Sequence, residues 1–466
     1  MVLPSKGDAT YMQNRAAGRQ GCGFRSVSVV GLGKLGLSMA VAFAKRGFGV
    51  VGVDCNNATV AAVNEGRSPI RETGVQELLT RFRRRIRATT DAGEAVAGTD
   101  ATFIIVATPS EKGGFFSNAQ LLPAVRNVGR ALRGKRSFHV VSVTCTVMPG
   151  TTMGIVRRTL ERVSGRRCGR DFGLIYNPEF IALGSVVRDF LNPDFVLVGE
   201  SDGRTGAMVE RFYARLCENK APVARMKPVE AELAKISLNC YCTTKIAFAN
   251  MLAEMAERMP GTDAGVITCA IGLDRRIGQR YLAPGLGFGG PCFPRDNVAF
   301  RAFARRLGVE VPIPEAVHGS NRRQPDRVVE RVRTTLPKGG RVAVLGLAYK
   351  PHTPVVEESQ ALAIAAKLAA RRGFDVTVYD PMAMDSARKV LGDGVRYAGT
   401  AAECLRGADL CIVATPWPEF ARLTARGMRR LMRVVRVLDC WHSVPPAVAK
   451  GVDLYAALGS GGNGKG

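Results

Sequence analysis

No stretch of about 18 uninterrupted apolar residues occurs in this chain of 466 residues, so no transmembrane helix is expected. The N-terminal stretch through Arg25 lacks the continuous apolar core of a secretory signal. It reads as a disordered extension, with a transit peptide as the weaker alternative because acidic residues are scarce there. No CxxC pair and no Cys/His group has zinc-ligand spacing, so no metal site is expected, and twelve cysteines in a chain this long do not read as a disulfide framework. A reduced, cytoplasmic setting fits best. Negative charge is in deficit: 40 Asp and Glu stand against 66 Lys and Arg, for a formal charge of +26. Such a surplus attracts nucleic acid, but no helix-turn-helix, RNP-like aromatic motif or zinc finger accompanies it, and the arginines are dispersed. A basic surface that attracts an anionic small molecule is the simpler reading, with no specific nucleic acid and no membrane as partner.

What is present is core-forming material for more than one domain. Hydrophobic residues make up 46% of the chain and charged residues 23%, and the length suggests two to four domains. From Ser26 the run SVSVV leads into Gly31-Leu32-Gly33-Lys34-Leu35-Gly36 and then into LSMAVAFAKRG, whose spacing predicts a helix stopping at Gly47. Further strands are predicted at GVVGVD, ATFIIVAT, FHVVSVT and FVLVGE, with helical segments between most of them. After Asn321 the alternation restarts with RVAVLGLAY, a helix around Ala361 to Arg372, DVTVYDP and DLCIVATP. The expected fold is α/β, with two Rossmann-like doubly wound parallel-sheet domains joined by a long central helix. That helix is predicted over Ala231 to Met259, a segment free of proline and glycine that would span about 44 Å at 1.5 Å per residue. Its apolar positions Leu233, Ile236, Cys240, Ala247, Met251 and Met255 suggest a connector and subunit interface. The expected divisions are a disordered extension at 1–24, a first Rossmann-like domain at 25–215, a central helical domain at 216–320, a C-terminal α/β domain at 321–458 and a flexible tail at 459–466.

Between a strand and a helix, GxGxxG acquires a mechanism. Gly31 permits the turn, Gly33 lets backbone N–H groups approach a pyrophosphate, and Gly36 allows close packing of helix on strand. Asp54, at the end of the next strand, would accept a ribose hydroxyl and repel a 2′-phosphate, which favours NAD over NADP. In Pro284 to Asp296, Cys292 follows a glycine-dense loop. A cysteine is most often a small buried hydrophobe, but a thiolate beside such a loop can attack an aldehyde to give a thiohemiacetal, which loses a hydride to become a thioester. A plain two-electron alcohol dehydrogenase would need no such nucleophile.

These motifs resemble the UDP-glucose/GDP-mannose dehydrogenase family from Ser26 to about His442. Cys145 to Thr151 resembles its STVPPGT turn, and Asn177-Pro178-Glu179-Phe180 its NPEF segment. Glu232, Lys235 and Asn239 resemble its ExxKxxxN helix, GFGGPCFPRD its cysteine loop, and Gly346 to Pro351 its GLxxKP strand. The resemblance implies NAD-dependent, four-electron oxidation of a nucleotide sugar's C6 alcohol to a carboxylate, with UDP-glucose as the first candidate and GDP-mannose or a UDP-N-acetylhexosamine as alternatives. NPEF argues against the N-acetylhexosamine branch. Cys292 is implied as nucleophile and Glu179 as general base, with Lys235 and Asn239 holding the C6 oxygen and Thr146 and Asp296 positioning water. Leu35, Thr108 and Thr146 are implied to join Gly31, Gly33, Gly36 and Asp54 around the cofactor. Phe180, Tyr281, Phe288 and Gly289 are implied to line the substrate pocket with Lys235 and Asn239. Lys350 would meet the diphosphate, and Arg276 would reach the substrate across a subunit boundary, so a homodimer or larger assembly is implied. Four positions depart from the pattern: Leu183 replaces a second glutamate, Pro354 and Val355 replace acidic residues, Glu357 replaces an arginine, and Trp441 replaces a sugar-facing arginine. A non-catalytic basic nucleotide- or nucleic-acid-binding protein is the reading outside this class.

Overall fold

The computed structural model describes residues 23–461 and divides the chain into two compact units, residues 1–235 and 236–466. The first unit is built on eight strands: β1 (Ser26–Val30), β2 (Gly49–Val53), β3 (Ile86–Thr89), β4 (Ala101–Ile104), β5 (His139–Val143), β6 (Phe172–Tyr176), β7 (Val196–Glu200) and β8 (Val223–Met226). Their order in the sheet is β3-β2-β1-β4-β5-β6-β7-β8, which contains the dinucleotide-binding order 3-2-1-4-5-6. All neighbours pair in parallel except β6 and β7, where Ile175 lies opposite Glu200 in an antiparallel register. The expectation of a parallel sheet therefore holds up to β6, and the last two strands run the other way.

The strands read as continuous apolar runs because both faces of the sheet are covered. Val27, Val29, Val50 and Phe103 enter one core, while Val30, Val51, Val53 and Ile104 enter the other. Phe24, assigned above to the N-terminal extension, is 2% exposed and packs against Phe212 with ring centroids 5.4 Å apart. The ordered domain therefore starts before residue 25, and residues 1–22 of the expected extension lie outside the described residues. One basic cluster also departs from the dispersed pattern: Arg83–Arg85 form an exposed turn of 3-10 helix before the edge strand β3.

The second unit repeats the design with β9 (Gly340–Leu345), β10 (Phe374–Tyr379), β11 (Arg396–Tyr397), β12 (Leu410–Val413), β13 (Arg436–Asp439) and β14 (Leu454–Ala457) in the order β11-β10-β9-β12-β13-β14. Alternate residues again divide between two cores, Val342 and Val344 on one side and Ala343 and Leu345 on the other. The tail expected from residue 459 is ordered at its start. Gly459 N–H donates to Glu257 at 2.7 Å, and Ser460 Oγ donates to Asp263 at 3.2 Å. Residues 462–466 lie outside the described residues.

The long helix runs Pro228–Ala256, three residues earlier at each end than the sequence pattern predicts. Proline is favoured in the first helical turn, where its missing N–H has no partner to lose. No helix among the described residues is long and apolar enough to cross a membrane.

Candidate active site

The GxGxxG turn has the conformation its residues predict. Gly31 has φ +97, and a Cβ there would lie 2.5 Å from the Ile105 carbonyl oxygen; a Cβ on Gly36 would lie 1.8 Å from the Gly31 carbonyl. Both positions require glycine because backbone meets backbone. Gly33 differs: it caps the helix Lys34–Lys45 with φ −70, and a Cβ there would meet nothing within 4 Å. The space beside the helix N-terminus is open at Gly33, as a pyrophosphate held by backbone N–H groups needs. Leu35 packs against the first core. Asp54 Oδ2 accepts the Leu32 N–H at 2.8 Å and Oδ1 accepts the Asn56 N–H at 2.9 Å. A carboxylate has about four acceptor positions. Asp54 therefore shapes the turn while retaining capacity for a ribose hydroxyl. Thr108 Oγ1 donates to the Thr146 carbonyl at 2.8 Å, tying the loop after β4 to the turn after β5.

This contrast gives a direct test. Gly33→Ala should leave the melting temperature unchanged and weaken NADH binding at least about tenfold, because the methyl group fills the ligand's space. Gly36→Ala should lower both the melting temperature and the affinity. Fluorescence titration with NADH and a thermal melt separate the two; a Gly33→Ala protein that binds normally would remove the glycine turn as the cofactor site.

The first unit also gathers Glu179, Phe180 and Lys235. Lys235, from the long helix, is 8% exposed; its Nζ donates to the Glu179 carbonyl at 2.6 Å and lies 4.4 Å from the centre of the Phe180 ring. Burial raises the Glu179 carboxyl to about 8, against the opposing pull of the Lys235 ammonium and of a hydrogen bond from Tyr213. Tyr213 Oη donates to Asn177 at 2.5 Å and lies 3.4 Å from Glu179 Oε1. Tyr213 is not among the residues singled out from the sequence: it lies in no motif, and only the fold brings it beside Asn177 and Glu179 of NPEF. Leu183, which stands where the family pattern has a second glutamate, packs against the apolar core.

The second unit holds Cys292, Asn239 and Asp296. Cys292 is exposed and occupies the N-cap of the helix Phe293–Arg306. The partial positive charge of a helix N-terminus favours a thiolate. Asp296, in the first turn of that helix, is 1% exposed, and its Oδ2 accepts Asn239 Nδ2 at 2.6 Å, a link between two candidate residues that the sequence did not pair. The loop before Cys292 is fixed by backbone. Asn321, missed in the sequence, spans Phe288 with both ends of its amide, accepting the N–H at 2.8 Å and donating to the carbonyl at 2.9 Å. A Cβ on Gly289 would lie 2.3 Å from the Glu358 carbonyl, which leaves no room for a side chain.

The remaining substrate candidates are more scattered. Phe288 is buried against Phe293, whereas Tyr281 is half exposed, has φ +63 and meets the same Phe293 edge-on at 5.8 Å. Left-handed backbone is uncommon for a bulky non-glycine residue and marks a constrained loop. Arg276 is on the surface and bonded to Asp274. Lys350 lies 5.8 Å from the Tyr349 ring centre. Of the departures, the Glu357 carbonyl accepts the Gly290 N–H at 3.0 Å, and its side chain is exposed. Trp441 donates to the Ala414 carbonyl at 2.9 Å, and its ring lies 2.8 Å from where a Cβ on Gly285 would be, so this indole is committed to packing. Asp380, also missed, repeats the Asp54 arrangement: its Oδ2 accepts the N–H groups of Leu347 and Ala348. The strand ending VYDP, like VGVD before it, is the signal that could have found it.

Comparison with known proteins decides the family. Residues 25–217 match the model of the UDP-glucose/GDP-mannose dehydrogenase family's NAD binding domain, residues 229–323 its central domain and residues 343–446 its UDP binding domain. The chain belongs to the UDP-glucose/GDP-mannose dehydrogenase family. It is 39% identical over 402 residues to a UDP-glucose 6-dehydrogenase of Haloferax volcanii, covering 85% of this chain and 92% of that protein. It is 34% identical over 358 residues to a GDP-mannose 6-dehydrogenase of Pseudomonas savastanoi, covering 76% and 80%. Among solved structures, a UDP-glucose dehydrogenase from Pyrobaculum islandicum is similar with a TM-score of 0.83 at 39% identity, covering 94% of this chain and 98% of that one. The first unit is thus the family's NAD-binding domain, the cofactor is NAD, and the chain is an NAD-dependent nucleotide-sugar dehydrogenase.

Proposed function

We propose that this member of the family oxidises UDP-glucose to UDP-glucuronate, consuming two NAD and one water. The observation that carries the chemistry is a cysteine at a helix N-terminus in the same chain as a glutamate whose carbonyl receives a buried lysine ammonium at 2.6 Å. The choice of sugar is supported by 39% identity to a UDP-glucose enzyme across 92% of its length, against 34% across 80% for a GDP-mannose enzyme.

NAD supplies the hydride acceptor, and Gly31, Gly33, Gly36, Leu35, Asp54, Thr108 and Thr146 would hold it. Lys235 and Asn239 bind the C6 oxygen, and the ammonium of Lys235 stabilises negative charge as the alcohol proton passes to solvent water and the hydride leaves C6. Cys292 adds its thiolate to the resulting aldehyde, forming a C–S bond. Loss of the second hydride converts that thiohemiacetal to a thioester. Glu179 then takes a proton from water as its oxygen attacks the acyl carbon, the C–S bond breaks and the thiolate is restored. Asp296 holds Asn239 and, with Thr146, positions the water. Phe180, Tyr281, Phe288 and Gly289 line the sugar pocket, and Lys350 meets the diphosphate as a point cation.

The test is stoichiometric. Purified protein with NAD and a panel of nucleotide sugars should form about two NADH per UDP-glucose consumed; a ratio of one would indicate a simple alcohol dehydrogenase, and activity only with GDP-mannose would move the substrate assignment.

A reducing cytoplasmic setting is supported by the eleven described cysteines, none of which is in a disulfide. A homodimer is supported by an apolar face on and beside the long helix, where Tyr241, Phe248, Met251, Met255 and Val266 are all at least 45% exposed. Mixed dimers of Arg276→Ala and Cys292→Ala subunits should regain activity through one intact composite site, and sedimentation of a fully active monomer would contradict the proposal.

A further inference from the structure

Glu232 is a carboxylate with no exposed surface, and the catalytic scheme above does not use it. It lies one turn before Lys235 on the long helix, and residues three apart on a helix share a face. Both of its oxygens are committed to backbone: Oε2 accepts the Gly150 N–H at 2.5 Å and Oε1 accepts the Thr152 N–H at 2.7 Å. The Gly150 amide belongs to the turn that follows Thr146, and the Thr152 amide opens the helical segment directly after that turn. In the turn the Thr151 N–H closes on the Met148 carbonyl at 3.1 Å, and Gly150 has φ +92, which makes Met148-Pro149-Gly150-Thr151 a type II turn. In such a turn the N–H of the third residue is left without a partner inside the turn. Glu232 supplies it.

A fully buried carboxyl group is costly unless its lone pairs are satisfied, and a neutral hydrophobe would fill the same space more cheaply. Burial pushes the Glu232 carboxyl up, while the hydrogen bonds from Thr152 and Gly150 pull it back towards the charged form. The carboxylate therefore earns its place as a tie between two segments. One segment carries Thr146, whose carbonyl receives Thr108, and the other carries Lys235, whose ammonium rests on Glu179.

We propose that Glu232 is a positioning residue that fastens the Thr146 turn to the part of the long helix bearing Lys235, so that the cofactor contacts and the Lys235 ammonium are set together. The proposal rests on the roles assigned above to Thr146 and Lys235.

The test uses Glu232→Gln, which keeps the shape but turns an N–H donor towards backbone N–H, and Glu232→Asp, which keeps the charge but reaches only one of the two amides. Three quantities are measured: the melting temperature, NADH affinity by fluorescence without substrate, and the pH profile of kcat. Both variants should bind NADH about ten- to a hundredfold more weakly, as a displacement near 1 Å would cause, with the Asp variant the milder. The acid limb of kcat should move to higher pH, because withdrawing the Lys235 ammonium removes a cation that favours ionised Glu179. The other groups facing Glu179, Tyr213 and Cys217, are both neutral or raised in pKa and are unchanged by the substitution. A lower melting temperature with wild-type NADH affinity and an unmoved pH profile, in whichever variant folds, would reduce Glu232 to a structural role and overturn the proposal. Its failure is separable from failure of the functional reading, since NADH affinity needs no nucleotide sugar, whereas a wild-type protein inert towards every sugar would sink the reading alone.

Discussion

Replacing Glu179 with Gln is expected to give a burst of about two NADH per active site followed by a stall, because both hydride transfers precede the step that needs a base. Glutamine preserves the size of the side chain and its ability to accept from Tyr213, so binding of cofactor and sugar should survive. Steady-state turnover should fall at least about a hundredfold, the usual contribution of a positioned general base. The wild-type pH profile follows from the same group. With its carboxyl raised to about 8, Glu179 is mostly protonated at neutral pH, and thioester hydrolysis should speed up as pH rises towards and through 8. The sign for stability is the reverse. A carboxyl whose folded value lies above its unfolded one costs stability as pH rises from the ordinary carboxyl range to about 8, so Glu179→Gln should melt higher than wild type at pH 8 and alike at pH 4. Equal melting curves at pH 8 would show that Glu179 is not held in its neutral form.

Cys292→Ser is expected to abolish the second half of the reaction. A serine hydroxyl at this helix N-terminus is a far weaker nucleophile than a thiolate, and without covalent capture the aldehyde cannot be carried to a thioester. Overall turnover should fall by about a thousandfold or more while NADH and UDP-glucose still bind, since Cys292 is exposed and its replacement removes no core packing. Quenched-flow should find no acyl-enzyme. Retained acid production at even a tenth of the wild-type rate would assign the nucleophile elsewhere, and the other exposed described cysteines, Cys55 and Cys269, would be the next to test.

The parts of this account legible in the sequence are those set by local rules. β1, β2, β4 and β5 could be read from apolar runs because helices cover both faces of the sheet, and the glycine turn could be read because Gly31 and Gly36 are dictated by backbone contacts within a few residues. Three strands of the first sheet escaped notice: β3 (IRAT) and β8 (VARM), short and polar at the two edges, where one side needs no partner strand, and β6 (FGLIY), an apolar strand inside the sheet. The reversal at β7 left no mark in composition, since β7 is buried on both faces like the parallel strands before it and reads as the same apolar run. At the site, Lys235 and Asn239 were found through their spacing and motif. Tyr213, Asn321 and Glu232's partners were not, because each acts through a contact between residues more than 30 positions apart. Trp441 shows the converse: a position that the family resemblance marks as facing the sugar is occupied here by a ring packed over Gly285.

The central claim is that one covalent intermediate forms on Cys292 and is released through Glu179. The measurement that meets it most directly is the mass of the peptide containing Cys292 after Glu179→Gln has been mixed with NAD and UDP-glucose and quenched once its burst is complete. The account predicts an added mass equal to the acyl group of UDP-glucuronate on Cys292. An unmodified Cys292 peptide, or the same mass on any other cysteine, would contradict it.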